Sequence, residues 1–374
     1  MPDGIKGAIA TRDNAFLNRD WVLRKVRNLL ARFPWYMDVE KAQKLLNTAN
    51  KDHLYVHHPY SEYKNITCHP LVKWADVVHL HWVAGFVDYP TFFKELEKPI
   101  VWTLHDKYPA VGVQHFCSEF FPIPESLKLI DEKCKQIKRR GIIKAKNLQL
   151  VAISKHILDV CEGSDVLKGI PVSLINNGVD TNVFTMYDKY NVRRSLGLVE
   201  DAKVFLFSAH CINDENKGLF RLMSALENVD ISNKLLVCIG QSLGSLPNCS
   251  FPVILTGSLN DQDKIAKYYS AADFFLQCSY EESFGQTVIE AMSCGTPVIS
   301  TPCGISLDII SAANGVLCDG FDSNALVLGI NEAVRREFDP IAIRKCIVDS
   351  FQNNTIARRY IELYHSVLDK ERQR

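Results

Sequence analysis

The chain carries no net charge: Lys+Arg and Asp+Glu both total 43. That removes any global electrostatic argument for nucleic acid, so a charged partner must be recruited by a local patch. It has no Cys-x-x-Cys pair and no Cys/His cluster at zinc spacing, although Cys occurs 12 times, so the common structural-zinc and dithiol motifs are absent. Most cysteines stand in apolar surroundings, such as Cys238 in "KLLVCIG" and Cys278 in "DFFLQCS". They read as buried reduced thiols and favour a reducing cytosol. No apolar run is long enough to span a bilayer, and the opening "MPDGIKGAIATRDNAF" lacks the apolar core of a signal peptide. There are no short internal repeats and no low-complexity segments.

What is present is a chain of 374 residues, 47% hydrophobic and 23% charged, which suits two soluble domains of α/β size. Short continuous apolar runs predict strands at 75–82, 99–105, 148–154 and 171–177, then at 203–209, 234–240, 251–257, 272–278 and 296–301. Runs rich in Val, Ile and Leu on both faces belong to strands covered on both sides. Amphipathic stretches between them, such as "GLFRLMSALENV" and "DKIAKYYSAAD", complete a strand–helix–strand alternation that means parallel sheets. The polar segment 176–198 contains Asn-Gly, a turn signal, and separates the two series. We therefore expect domains at 1–178 and 179–353, with a final helix at 354–370 packing back on the first.

The first 70 residues fit this scheme poorly. Within them, 21–35 reads as a basic amphipathic helix, and a second basic run is "KCKQIKRRGIIKAK" at 133–146. Each is a candidate for resting on anionic lipid, with a solvated helix face as the alternative.

The most informative stretch is "SYEESFGQTVIEAMSCGTPVIS", 279–300. A strand ends before it, and a helix starts near Gly285 and closes at Gly295. A helix N-terminus at the carboxyl end of a parallel strand offers free N–H groups to a phosphate, and a glycine lets a ligand approach the backbone. Glu282 then lies in the loop. Glu290 lies on the helix among Val288, Ile289, Ala291 and Met292, where a carboxylate needs partners such as the hydroxyls of a ribose. The plainer alternative is that Glu282 caps the helix and Glu290 is half exposed; the context favours a ligand.

This stretch resembles the E-x7-E motif of retaining glycosyltransferases of family 4, which have the GT-B fold. The resemblance extends over about 74–368 through "ADVVHLHWVAGF", "KPIVWTLHDKYPAVG", "LVAISKHI", "INNGVDTNVF" and "NDENKGLFRLMSAL", in family order. It implies two Rossmann-like, doubly wound parallel-sheet domains facing a cleft, the first on the acceptor side and with no first strand readable, the second binding the nucleotide-sugar donor. By the same resemblance Glu290 holds the donor ribose and Glu282 faces the transferred sugar. Ser283, Phe284, Gly285, Gln286 and Thr287 contact sugar and diphosphate, and Lys217 neutralises the diphosphate. His105 in "WTLHD" matches the active-site histidine. No metal or other cofactor is implied, and "DQD" at 261–263 reads as a helix start rather than a metal motif.

Two departures stand out. The position five before Lys217, often Arg in the family, is Ile212, and the Gly-rich opening loop is represented only by Gly4 and Gly7, with no strand ahead of them. The function implied is transfer of a hexose from a nucleoside diphosphate, uridine or guanosine, to a glycan or lipid-linked glycan, as in bacterial enzymes of capsule, exopolysaccharide or lipopolysaccharide synthesis. Such a protein works in the cytoplasm, peripherally at the inner face of the plasma membrane where the basic segments hold it. The alternative expectation is a catalytically weak, membrane-associated partner in a polysaccharide assembly complex.

Overall fold

The computed structural model describes residues 56–372 except 62, 64 and 65, together with Lys44. The expected basic helix at 21–35 and the glycines at 4 and 7 lie outside the described residues. The chain divides into two units. Unit 1 takes the residues up to Ala152, Ile157–Leu174 and the residues from Glu362 on; unit 2 takes Ile153–His156 and Ile175–Ile361.

Unit 1 holds four parallel strands in the order β1 (Val78–Leu80), β2 (Ile100–Leu104), β3 (Leu148–Ala152) and β4 (Val172–Leu174). β2 and β3 are buried along their whole length, as their mostly apolar sequences lead one to expect. The helices are α1 (Pro70–Trp74), α2 (Tyr89–Glu95), α3 (Glu125–Ile142) and α4 (Lys155–Gly163). α3 and α2 approach so closely that a Cβ on Gly141 would stand 2.2 Å from the Tyr89 carbonyl oxygen.

The basic run 133–146 falls on α3 and just after it, and its charges are largely spoken for. Lys138 is buried and donates to the carbonyl oxygens of Tyr108 and Val111. Lys135 pairs with Asp131, Lys146 with Glu97, and Arg139 donates to the carbonyls of Val166 and Lys168. Lys133, Arg140 and Lys144 are the exposed remainder. Among the described residues, no helix is long and apolar enough to cross a membrane.

Unit 2 holds β5 (Lys203–Cys211), β6 (Lys234–Gln241), β7 (Val253–Leu255), β8 (Phe274–Gln277), β9 (Val298–Ser300) and β10 (Gly315–Leu317). All pairs are parallel, in the order β10-β9-β8-β5-β6-β7. The chain starts at β5, winds outward through β6 and β7, then returns to the other side of β5 for β8, β9 and β10. This is a doubly wound order, whose reversal opens a crevice beyond the carboxyl ends of the two strands where the winding turns, β5 and β8. The helices are α5 (Lys189–Leu196), α6 (Leu219–Glu227), α7 (Gln262–Ala271), α8 (Gln286–Ser293), α9 (Ser306–Ile309), α10 (Ser323–Ala333), α11 (Pro340–Phe351) and α12 (Asn353–Arg372), whose residues from Glu362 on belong to unit 1.

The core joins Phe205 and Phe207 of β5, Leu222, Met223 and Leu226 of α6, Phe274 and Leu276 of β8, and Leu326 and Ile330 of α10. Seven of the cysteines are buried, all 12 are free, and burial pushes the Cys238, Cys278 and Cys303 thiols up.

Two elements differ from the sequence reading. β10 was not anticipated, and the segment 176–198, read as a polar separator, contains α5. Asp188 caps α5 by accepting from the Asn191 N–H, and Gly197 ends it at φ 67°. Asp261, Asp322 and Asp339 cap α7, α10 and α11 in the same way. Asp261 and Asp263 of "DQD" are thus engaged: the first as that cap, the second with Lys267 at 2.6 Å and with Tyr187.

Candidate functional site

The loop that follows β5 carries Lys217, and the loop that follows β8 carries Glu282, so both residues stand at the reversal of the sheet order. Asn216 locks the two loops together. Its side chain donates to the Glu281 carbonyl and accepts from the Glu281 N–H, both at 2.9 Å, and its own carbonyl accepts from the Tyr280 N–H. Arg221 adds a bond to the Cys278 carbonyl at 2.7 Å and lays its guanidinium 3.3 Å from the centre of the Tyr280 ring. Two close approaches require glycine. A Cβ on Gly218, at φ 78°, would meet the Cys278 oxygen at 2.3 Å, and one on Gly304, at φ 56°, would meet the Phe284 oxygen at 2.4 Å.

Held in this way, Lys217 Nζ reaches Glu282 Oε1 at 2.6 Å, and the Ser279 hydroxyl donates to the same oxygen at 2.7 Å. Burial works against the Lys217 ammonium, but Glu282 beside it more than offsets this and holds it above the usual lysine range. Glu282 does not cap α8. The capping position is Gly285, at φ 95°, and it has no side chain to accept the first N–H groups. α6 begins in the same way at Gly218. In unit 2, then, the two helices that start at the reversal have bare N-termini, while α5, α7, α10 and α11 carry aspartate caps. Bare N–H groups and the positive dipole ends favour an anion there.

Glu290 lies one turn further along α8, half-buried, with the fully buried Tyr269 hydroxyl donating to Oε2 at 3.1 Å. Burial pushes its carboxyl up to about 7, against the pull of that hydroxyl. The other residues of the stretch are placed as follows. Ser283 offers its carbonyl to the Ser154 hydroxyl at 2.6 Å, and Phe284 is buried with its carbonyl on the Ile305 N–H. Gln286 donates to the Gly178 carbonyl, and the Thr287 hydroxyl to Gln277 Oε1 at 3.2 Å. Ile212, where the family pattern often has Arg, is fully buried in the core of unit 2 and carries no polar role.

His105 belongs to unit 1, at the carboxyl end of β2. Its Nε2 stands 2.9 Å from His81 Nδ1, and the two rings stack. Burial, then the neighbouring His81, pushes it down to about 4 against Asp106, so it is neutral at pH 7. It is one member of a cluster that sequence reasoning missed: His79 bonds Thr103 and Tyr364, and His57, His115 and Asp106 form a connected chain. The alternation "HLHW", which starts on β1 and runs past its end, was the available signal for part of it. In unit 2 the missed residues are Asn216, Ser279 and Tyr269. Among the described residues, no group of three or more His, Cys, Asp or Glu is arranged to hold a metal ion.

Comparison with known proteins fits this geometry. Residues 188–345, which include both loops and α8, match the family model for glycosyl transferases group 1. The D-inositol 3-phosphate glycosyltransferase of Thermobispora bispora is 31% identical over 168 residues, 40% of this chain and 39% of that protein. The chain spans about two fifths of the length of that relative. Sucrose-phosphate synthase from Thermosynechococcus elongatus superposes with a TM-score of 0.62 at 22% identity, over 79% of this chain and 75% of that one. HepE of Anabaena, solved in complex with UDP and glucose, gives 0.60 at 20%, over 81% and 83%. These likenesses establish the GT-B fold, and residues 188–345 carry the match to the glycosyl transferases group 1 model.

Proposed function

We propose that the crevice beyond β5 and β8 is the donor site of a retaining glycosyltransferase of family 4, which moves a hexose from a nucleoside diphosphate to a hydroxyl of a glycan or lipid-linked glycan. The observation that carries this reading is the convergence of Lys217, Glu282 and the two bare helix N-termini of α6 and α8 at one crevice, with Glu290 on α8. The diphosphate takes Lys217 from Glu282 and lies against the N–H groups. Glu282 is then free to accept from hydroxyls of the transferred sugar, and Glu290 accepts from the ribose. As the bond from the anomeric carbon to the diphosphate oxygen breaks, charge gathers on the leaving group, where a fixed cation and oriented N–H groups stabilise it without reorganising. The acceptor oxygen bonds the anomeric carbon on the face the diphosphate leaves, and the acceptor proton passes to the departing phosphate. The relatives, named for inositol phosphate and sucrose phosphate among others, point to no single acceptor, and assembly of a surface polysaccharide is the setting we propose.

The test is product analysis by proton NMR. UDP-glucose or GDP-mannose, both α-configured, is incubated with the full chain, with water as the default acceptor. Release of the nucleoside diphosphate with sugar that appears first as the α anomer is the expected result. First appearance of the β anomer excludes a retaining mechanism.

A further inference from the structure

Trp82 follows β1 and is 59% exposed, yet its indole is not left loose. Its Nε1–H donates to Asp106 Oδ2 at 3.0 Å. The same oxygen lies 2.6 Å from His115 Nδ1, while Asp106 Oδ1 accepts from the Tyr108 N–H at 2.9 Å. His115 is 5% exposed, stacks on the Tyr108 ring with 9° between planes, and places Nε2 2.8 Å from His57 Nδ1. The His57 ring stands edge-on to the indole, with centroids 5.9 Å apart.

The polarity of this chain follows from the carboxylate. An ionised carboxylate only accepts, so His115 Nδ1 carries a proton. A neutral imidazole carries one proton, so with that proton on Nδ1 the His115 Nε2 is the acceptor. The proton between the two rings then belongs to His57 Nδ1, and the lone pair of His57 is left on Nε2. Burial, reinforced by His115, pushes His57 down to about 4, so this ring is neutral at pH 7 as well. An exposed indole fixed by a hydrogen-bond chain that runs back to the buried His115 has its orientation settled before anything binds, which lowers the entropic cost of stacking on it.

We propose that Trp82, Asp106, His115 and His57 build a carbohydrate subsite in unit 1. The indole face takes the C–H face of a pyranose, and His57 Nε2 accepts a hydrogen bond from one of its hydroxyls. Trp82 and His57 touch the sugar; Asp106 and His115 are positioning residues. Identification of this sugar as the acceptor rests on the glycosyl-transfer reading, whereas the subsite itself rests on unit 1 alone.

The test titrates the full chain with methyl β-D-galactopyranoside and methyl α-D-glucopyranoside by saturation-transfer NMR, beside Trp82→Ala, Trp82→Phe and Asp106→Asn. Saturation should reach the ring C–H protons of at least one pyranoside. Trp82→Ala should weaken binding more than about tenfold, and Trp82→Phe, which keeps an aromatic face, less than that. Nitrogen-15 imidazole spectra at pH 8 should show His57 and His115 as Nδ1–H tautomers. Asp106→Asn should disturb that pattern and weaken the pyranoside while leaving UDP and GDP affinity unchanged. The proposal is overturned if neither pyranoside binds, if Trp82→Ala binds like wild type, or if His57 carries its proton on Nε2. Failure of nucleotide binding with pyranoside binding intact would instead overturn the glycosyl-transfer reading and leave the subsite standing.

Discussion

Lys217→Ala is expected to slow nucleoside-diphosphate release from the donor sugar about 10²–10³-fold, the usual loss when one fixed group opposite a developing oxyanion is removed. The lysine is held in a fixed position. Its backbone N–H bonds the Asp214 carbonyl, the loop is locked to its neighbour through Asn216, and Nζ is 2.6 Å from Glu282. A merely structural ion pair would behave differently, and Glu282→Gln separates the two cases. That variant keeps the cation and removes its resident competitor, so UDP or GDP should bind it as tightly as wild type or more tightly, while Lys217→Ala binds more weakly. Equal loss of nucleotide affinity in both variants would mean that the pair only holds the loops.

Asp273→Ala is expected to destabilise unit 2 by about 3–5 kcal/mol, the range for stripping a buried ion pair of one partner. Arg193 is buried, and its guanidinium donates to Asp273 at 2.8 Å and to the carbonyls of Ala271, Glu200 and Ala202. Asp273 also accepts from Lys189 at 2.9 Å and from the Val204 N–H at 2.7 Å, which fixes α5 to the first strand of the sheet. Removing the carboxylate leaves a buried cation unmatched and a backbone donor orphaned. Asp273→Asn, which can still accept from Val204, should lose less. The pH dependence has a definite sign. Burial pushes the Asp273 carboxyl up, but Lys189, the Val204 N–H and Arg193 together bring it below the usual range. Its stabilising contribution is therefore present above the ordinary carboxylate pKa and lost as pH falls through the depressed one. Urea unfolding of the three proteins at neutral and acid pH measures this. A loss below 1 kcal/mol in Asp273→Ala would contradict it.

Why Arg193 was invisible in the sequence is instructive. It lies in 176–198, where Asn-Gly and a high density of polar residues signal a separator, and only the Asp188 cap and Gly197 stop mark α5. Continuous apolar runs made nine strands readable, because a strand covered on both faces needs them. β10 pairs only with β9, and its three residues sit between Asn314 and the Asp319-Gly320 turn, too short for any period to show. In the crevice beyond β5 and β8 the contiguous stretch 282–290 was legible, since loop and helix are consecutive in the chain. Asn216, which locks Lys217 to that stretch from 65 residues away, was not. The same reason hid most of the histidine cluster: His57 and His115 are 58 residues apart and meet only in the fold.

The central claim is that unit 2 binds a nucleoside diphosphate through Lys217 and Glu290. Calorimetric titration of the full chain with UDP, GDP and their hexose conjugates, beside Glu290→Ala, tests it most directly. Saturable binding to one nucleotide is predicted, weakened in the variant. Hydroxyl donors favour the ionised carboxylate, so wild-type affinity should also rise with pH as Glu290 loses its proton near 7, and this rise should vanish in Glu290→Ala. Absence of binding to every nucleotide, or unchanged affinity in Glu290→Ala, would contradict the account.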